Sequence, residues 1–84
     1  MIIWKKQLKI TSQQEIEIPF WIKPLCIQMQ RGVPCIWFLC DENDPLIRIT
    51  IYMYGTGFKI GHSTNKYLGT VQLEDGTVWH YFTD

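Results

Sequence analysis

The sequence predicts an all-β fold, a small antiparallel β-sandwich or partly open barrel of six to seven strands. In most of the chain, apolar residues recur at every second position, which is typical of half-buried strands. Short turn-forming segments separate these runs, and Asp75-Gly76 stands between the last two. A chain of 84 residues has the size of one domain, so residues 1–84 are predicted to form a single domain.

The first two runs predict strands at the N-terminus. Residues 2–10 begin as a strand. The segment that starts at Thr11 has Ile16 and Ile18 on one face and ends at Pro19. Proline cannot donate to a central ladder, so an edge strand is expected here. A short helix capped by Thr11 or Ser12 is the alternative, but β-branched residues at alternate positions favour a strand.

The third and fourth runs flank a predicted turn at "RGVP". In the third run, Leu25, Ile27 and Met29 are predicted to share a face. The fourth run, "CIWFLC" at residues 35–40, is apolar on both faces. Such a strand needs a second cover in a two-layer fold, either from residues 20–22 or from a second copy of the chain. We therefore expect a homo-oligomer, with a monomer covered by residues 20–22 as the alternative.

The strand predicted from Leu46 to Tyr54 alternates between an isoleucine-rich face and a polar, tyrosine-bearing face. The acidic segment before it, residues 41–45, is interpreted as a solvated turn. It lacks the spacing of a Ca²⁺-binding loop and the glutamate that closes one.

Asp75-Gly76 predicts a two-residue type I′ hairpin turn that pairs Glu74 with Thr77. This register would place His80 on the core face. It would place Trp79 and Tyr81 on the outer face, beside Tyr52 and Tyr54 if the strands share a sheet. Three interpretations of that aromatic face stay open: cross-strand pairs that stabilise the sheet, a protein interface, or a platform for a ligand.

The glycine-rich stretch "YMYGTGFKIGH", residues 52–62, has two interpretations. Glycines let successive backbone N–H groups converge on an anion, and Thr56, Lys59, His62 and Lys66 would add a hydroxyl donor and charge. The stretch does not match the phosphate-binding P-loop pattern, and no helix is predicted after it. The alternative is a bend between two strands.

The sequence predicts no catalytic centre, metal site or cofactor. His62 and His80 are the only histidines, no nucleophile-elbow motif is present, and the three cysteines (Cys26, Cys35, Cys40) lack paired ligand spacing. We interpret the cysteines as buried free thiols. A formal net charge of zero disfavours binding to duplex nucleic acid, and the N-terminus predicts neither a signal peptide nor a membrane span.

The motifs "IIWKKQLKIT", "QEIEIP", "LCIQMQRGVPCIWFL", "YGTG", "YLGTVQL" and "VWHYF" follow one another over nearly the whole chain. In this order they resemble a family of small phage- and prophage-encoded proteins, known as a domain of unknown function. The resemblance implies a phage protein acting in the cytoplasm of an infected bacterial host, and it carries no catalytic residues.

By analogy with other small phage β-proteins, we expect a non-catalytic binding protein that counteracts antiphage defence. It would act as an oligomeric sponge for a phosphorylated nucleotide signal, with the phosphate on the glycine-rich loop and the base on aromatic rings. The alternatives are an inhibitor that binds a host defence protein, and a virion assembly or structural protein. The residues expected to bind the ligand are Arg48, Tyr54, Gly55, Thr56, Gly57, Lys59, Trp79 and Tyr81.

Overall fold

The computed structural model describes residues 1–61 and 66–84, which form seven β-strands and contain no helix. Sheet A has three strands in the order β1-β4-β3, and sheet B has four in the order β2-β5-β7-β6, all paired antiparallel. The predicted all-β sandwich of six to seven strands is confirmed. The strands are β1 (Ile2–Gln7), β2 (Gln13–Pro19), β3 (Trp21–Gln30), β4 (Val33–Cys40), β5 (Leu46–Gly55), β6 (Lys66–Gln72) and β7 (Val78–Thr83).

The hydrophobic core lies between the two sheets. Ile36 and Phe38 of β4 and Ile51 of β5 are fully buried within it. Each such side chain stabilises the fold by about 1.5–3 kcal/mol relative to an exposed position. β2 supplies Ile16 and Ile18 from the edge of sheet B, as its alternating pattern predicts.

The turn between β3 and β4 is a two-residue loop, as expected from "RGVP". Gln30 pairs with Val33, and both loop residues have positive φ, 52° at Arg31 and 78° at Gly32. Positive φ at both positions is the type I′ geometry, which matches the twist of the flanking strands.

The predicted common face of Leu25, Ile27 and Met29 is confirmed for Ile27 and Met29, which both lie on the core side, and is wrong for Leu25. The register of β3 against β4 shifts between Pro24 and Cys26, so Leu25 is an extra residue in the ladder. Leu25 is 42% exposed, whereas Ile27 is buried in the core. A bulge inserts one residue into the alternation, and the period-two pattern does not reveal it.

The apolar strand β4 turns Ile36, Phe38 and Cys40 towards the core. Its other face, with Trp37 and Leu39, is half-buried. Trp21, one of the residues considered as a cover for that face, packs edge-on against Phe38 instead, with ring centroids 6.0 Å apart. Trp21 therefore belongs to the core side of sheet A.

The C-terminal hairpin exists where Asp75-Gly76 predicts it, but the predicted register is wrong. The Leu73 N–H donates to the Thr77 carbonyl at 2.9 Å, and the Gly76 N–H donates to the Leu73 carbonyl at 2.9 Å. Gly76 has a φ of 86°. Glu74, Asp75 and Gly76 thus form a three-residue loop, a tight turn followed by a glycine in the left-handed region.

This one-residue difference exchanges the two faces of β7. His80 pairs with Thr70, and Tyr81 pairs with Gly69. Trp79 and Tyr81 therefore point to the core side of sheet B, while His80 and Phe82 lie on its outer face beside Tyr54. The predicted outer face of Tyr52, Tyr54, Trp79 and Tyr81 is corrected accordingly.

Asp75 stabilises the longer loop. Its Oδ1 accepts hydrogen bonds from the Thr77 N–H at 2.9 Å and from the Thr77 hydroxyl at 2.6 Å. These bonds hold the pKa of the Asp75 carboxyl below its usual value. The three-residue loop also buries Tyr81 in place of His80, which the hydrophobic effect favours.

Candidate functional site

The glycine-rich stretch begins with a tight turn at the end of β5. The Phe58 N–H donates to the Gly55 carbonyl at 3.0 Å, and Gly57, the third residue of the turn, has a φ of 88°. Positive φ at this position is the geometry of a type II turn, which favours glycine. The sharp reversal brings the ring of Phe58 back over the end of its own strand.

Gly55 makes room for that ring. A Cβ at residue 55 would lie 3.0 Å from a ring carbon of Phe58. Phe58 is nevertheless 61% exposed, because the turn lies at the end of the sandwich. The turn thus presents a large apolar ring to solvent in a fixed position.

Trp79 meets Phe58 from the neighbouring strand, since Gly55 pairs with Trp79 across β5 and β7. The two rings are edge-to-face, with centroids 5.3 Å apart and planes at 78°. The indole N–H of Trp79 donates to the Thr77 hydroxyl at 2.8 Å, and that hydroxyl donates to Asp75. The hairpin loop and the Trp79 ring are therefore connected by one chain of hydrogen bonds.

Two depressions adjoin these rings, and we call them together the Trp79 groove. The first, about 390 Å³, lies between the Gly55–Phe58 turn and the hairpin loop. The second, about 430 Å³, lies between the same turn and residues 10–13. Both are lined by Phe58 and Trp79; the first also by Gly55, Thr56, Gly76, Thr77 and Val78, the second also by Ile10, Thr11, Ser12, Gln13, Met53, Tyr54 and Lys59.

Most backbone amides of the predicted anion site already donate hydrogen bonds to carbonyl groups of the protein. The Thr56 N–H donates to the Val78 carbonyl at 3.1 Å, and the Phe58 N–H donates within the turn. The Gly57 amide, at the tip of the turn, has no backbone partner among the described residues. These bonds favour the bend interpretation, and anion binding stays a prediction that depends on Gly57 and Lys59.

The Thr56 hydroxyl belongs to a polar network rather than to an isolated donor site. Its Oγ1 lies 2.8 Å from His80 Nε2, and the other ring nitrogen, Nδ1, lies 2.9 Å from the Thr70 Oγ1. The Tyr67 hydroxyl continues the network to Thr70 at 2.5 Å. The prediction that His80 lies on the core face is wrong. The half-buried imidazole instead connects the turn to β6 across the outer face of sheet B.

The remaining predicted binding residues are dispersed. Tyr81 is fully buried, and burial raises the pKa of its hydroxyl to about 12, so its ring is closed to stacking. Arg48 forms ion pairs with Glu15 at 3.6 Å and Glu17 at 3.1 Å. It lies six residues from Tyr54 along the extended strand β5, roughly 20 Å away. His62 lies outside the described residues.

Five of the eight predicted binding residues therefore line one groove: Tyr54, Gly55, Thr56, Lys59 and Trp79. Among the lining residues that sequence reasoning missed are Phe58 and Thr77. The signal for Phe58 was its position directly after a glycine that suits the third place of a type II turn. The signal for Thr77 was its position two residues after Asp75, where an aspartate side chain accepts a backbone N–H.

Titratable groups elsewhere in the described part of the chain form no group of three or more histidine, cysteine or acidic residues able to hold a metal ion. Cys26, Cys35 and Cys40 are free thiols; Cys35 and Cys40 are buried as predicted, whereas Cys26 is half-buried. Burial, and secondarily the nearby Asp41 carboxylate, raises the pKa of Cys40. None of the described residues forms a helix long and apolar enough to cross a membrane.

The fold and the groove define the chain as a small two-sheet β-protein with an aromatic depression at one end of the sandwich. Its family follows from a match over residues 1–84 to the model described as "Domain of unknown function (DUF7352)", and the chain belongs to this family. The resemblance to a domain of unknown function is thereby confirmed, while the phage or prophage origin stays a prediction. Neither the curated proteins nor the solved structures contained a match.

Proposed function

We propose that the protein is a non-catalytic binding protein whose Trp79 groove holds a small ligand with a planar ring and an anionic group, the composition of a nucleotide. The observation that carries this proposal is that two adjoining depressions share the rings of Phe58 and Trp79. An exposed aromatic ring fixed by a turn provides a stacking surface with little ordering entropy to lose.

The chemistry around the rings supports the same class of ligand. Stacking of a base on an aromatic side chain contributes about 1–3 kcal/mol. Lys59 is exposed at the second depression, whereas Gly57, in the same turn, lines neither depression. A cation beside a stacking surface suits a phosphate attached to a base.

The phage setting that the sequence resemblance implies narrows the proposal to a nucleotide immune signal of the host, which the protein would sequester to counteract defence. Sequestration needs affinity and abundance but no catalysis. This narrower form rests on the resemblance, whereas the ligand class rests on the groove.

The test is a thermal-shift panel of cyclic and linear nucleotides against the purified protein. A nucleotide at a hundredfold excess over its Kd should stabilise the fold by about 2.7 kcal/mol. Phe58→Ala should raise the Kd of that nucleotide about 5- to 150-fold, the equivalent of ~1–3 kcal/mol of stacking. Lys59→Gln should weaken binding more at low salt than at high salt, because exposed charges are screened.

Ile60→Ala is the matched control, because Ile60 is also exposed and apolar, lies two residues from Phe58 and lines neither depression. It should bind as the wild type does. The proposal fails if no nucleotide raises the melting temperature, or if Phe58→Ala and Ile60→Ala bind equally well.

A further inference from the structure

The two depressions of the Trp79 groove differ in the state of their hydroxyl groups. In the first depression, both hydroxyls already have partners in the fold. Thr56 Oγ1 lies 2.8 Å from His80 Nε2, and the Thr77 hydroxyl donates to the Asp75 side chain at 2.6 Å. The described residues that line this depression carry no formal charge. It is therefore an aromatic cleft whose hydroxyls are engaged elsewhere.

The second depression combines a cation with two hydroxyls. It is lined by Lys59, Thr11 and Ser12, and none of its described lining residues is acidic. Among residues 1–61 and 66–84, the ion pairs are those of Arg48, and the side chains of Thr11 and Ser12 form no hydrogen bond. Ammonium and hydroxyl groups both donate hydrogen bonds, so this depression offers three donor groups to a ligand.

The β1–β2 loop, which carries the two hydroxyls, is fixed by hydrogen bonds at both ends. The Gln14 side chain accepts from the Lys9 N–H at 2.9 Å and donates to the Lys9 carbonyl at 2.8 Å. The Met53 N–H donates to the Ser12 carbonyl at 3.0 Å, which ties the loop to β5. Groups that are held in place before binding lose little conformational freedom when a ligand arrives.

Charge distinguishes the two depressions in the same direction. The Asp75 carboxylate borders the first depression, because it accepts the hydrogen bond of Thr77 there. An anion in that depression would be repelled by the carboxylate, whereas an anion in the second would be attracted by Lys59. A neutral ring is favoured in the first depression, where it can lie against Trp79.

We propose that the second depression is a phosphomonoester site, in which Lys59, Thr11 and Ser12 hold the phosphate while the base lies in the first depression against Phe58 and Trp79. This inference rests on the proposed function and adds the orientation of the ligand and two binding residues. Three donor groups match the three free oxygens of a terminal phosphate, and a phosphodiester presents fewer. Hydrogen bonds to an ionised acceptor are stronger than those between neutral groups.

The probes are adenosine 5′-monophosphate (AMP), its cyclic 3′,5′-diester and adenosine, each titrated into the full ¹⁵N-labelled chain near neutral pH and followed by NMR. All three should shift the Thr77 and Val78 amides and the Trp79 indole. The amides of Ser12 and Lys59 should shift with AMP, less with the cyclic diester and not with adenosine. The wild type should bind AMP about tenfold more tightly than adenosine, the equivalent of roughly 1.4 kcal/mol.

Thr11→Ala combined with Ser12→Ala tests the two hydroxyls. This double variant should reduce the preference for AMP over adenosine to about threefold or less, because Lys59 alone then holds the phosphate. Thr50→Ala is the matched control, since it removes a threonine hydroxyl from a half-buried residue of β5 that lines neither depression. It should keep the full preference, and thermal melting shows whether each variant is folded.

The outcomes separate this inference from the proposed function. Equal binding of AMP and adenosine, or an unchanged preference in the double variant, would overturn the inference and leave the proposed function standing, because the base would still bind in the groove. Tighter binding of the cyclic diester than of AMP would overturn the phosphomonoester assignment. If none of the probes shifts a groove resonance, the inference fails, and the thermal-shift panel decides whether the proposed function fails with it.

Discussion

Replacing Gly69 with alanine tests how closely the two sheets approach one another. Gly69 lies in β6 of sheet B, and a Cβ there would stand 2.8 Å from the Cβ of Ile27 in β3 of sheet A. It would also stand 3.1 Å from the Ile27 backbone nitrogen. A Cβ and a backbone nitrogen do not move when a side chain changes rotamer, so β3 or β6 itself must shift.

The displacement sets the expected magnitude. Non-bonded carbon atoms prefer about 3.5–4.0 Å, so the strands must separate locally by roughly 1 Å. Overpacking of this kind destabilises by about 1–3 kcal/mol. For a domain of this size, 1 kcal/mol lowers the melting temperature by about 4–8 °C, so Gly69→Ala should melt roughly 4–24 °C below the wild type.

The assay is urea unfolding followed by tryptophan fluorescence, with thermal melting as a second probe. The urea midpoint should fall with an unchanged slope, because the substitution alters stability and not the surface exposed on unfolding. Gly61→Ala is the control, since its Cβ would meet none of the described residues within 4 Å. If the two variants unfold within about 0.5 kcal/mol of each other, the sheets do not approach closely at Gly69 and this reasoning is refuted.

Three further predictions concern titratable groups. Because burial raises the pKa of Tyr81 from 10.0 to about 12, its neutral form stabilises the fold fully below pH 10.0, and this contribution is lost as the pH rises towards 12. Urea midpoints across that range should therefore fall less for Tyr81→Phe than for the wild type, and equal falls would contradict the assignment. Hydrogen bonds from Thr77 lower the pKa of Asp75, so its carboxylate stabilises the hairpin above pH 3.8 and ceases to do so as the pH falls through the lowered pKa. The stability difference between the wild type and Asp75→Ala should shrink in acid, and a pH-independent difference would argue against these bonds. Cys26 is half-buried whereas Cys35 and Cys40 are buried, so maleimide should label Cys26 first in the native protein and all three thiols in denaturant, as mass spectrometry would show.

The strands were predictable because their pattern is local. β5 alternates strictly, and Ile51 and Met53 reach the core as the alternation requires. The bulge at Leu25 was not predictable, because "PLCIQMQ" alternates without interruption and the extra residue becomes visible only against the partner strand β4. Pairing between strands is a tertiary property, and a single run of residues does not contain it.

The hairpin register failed for a different reason. Asp-Gly suits a two-residue loop with positive φ at both residues, and it equally suits a three-residue loop in which glycine alone has positive φ. What separates them here is the pair of bonds from Thr77 to Asp75 and the burial of Tyr81 instead of His80. The Asp-Gly dipeptide alone contains no information about these bonds or about which side chain is buried. Burial of Tyr81 is more favourable than burial of His80, and this comparison would have favoured the three-residue register.

The one-residue difference between the two hairpin registers also determines which rings form the candidate site. In the three-residue register, Trp79 lies beside Gly55, the one residue of β5 without a side chain, and Phe58 folds into the space that Gly55 leaves. In the two-residue register, Trp79 would stand on the outer face, and Phe58 would have no indole to pack against. The composition supplies the aromatic rings of the candidate site. Which of them line the Trp79 groove depends on Thr77 and Asp75, which set the register, and on Gly57, which turns the chain back. A substitution that shifted the hairpin from the three-residue to the two-residue register would therefore remove the Trp79 groove, although Phe58 and Trp79 would still be present.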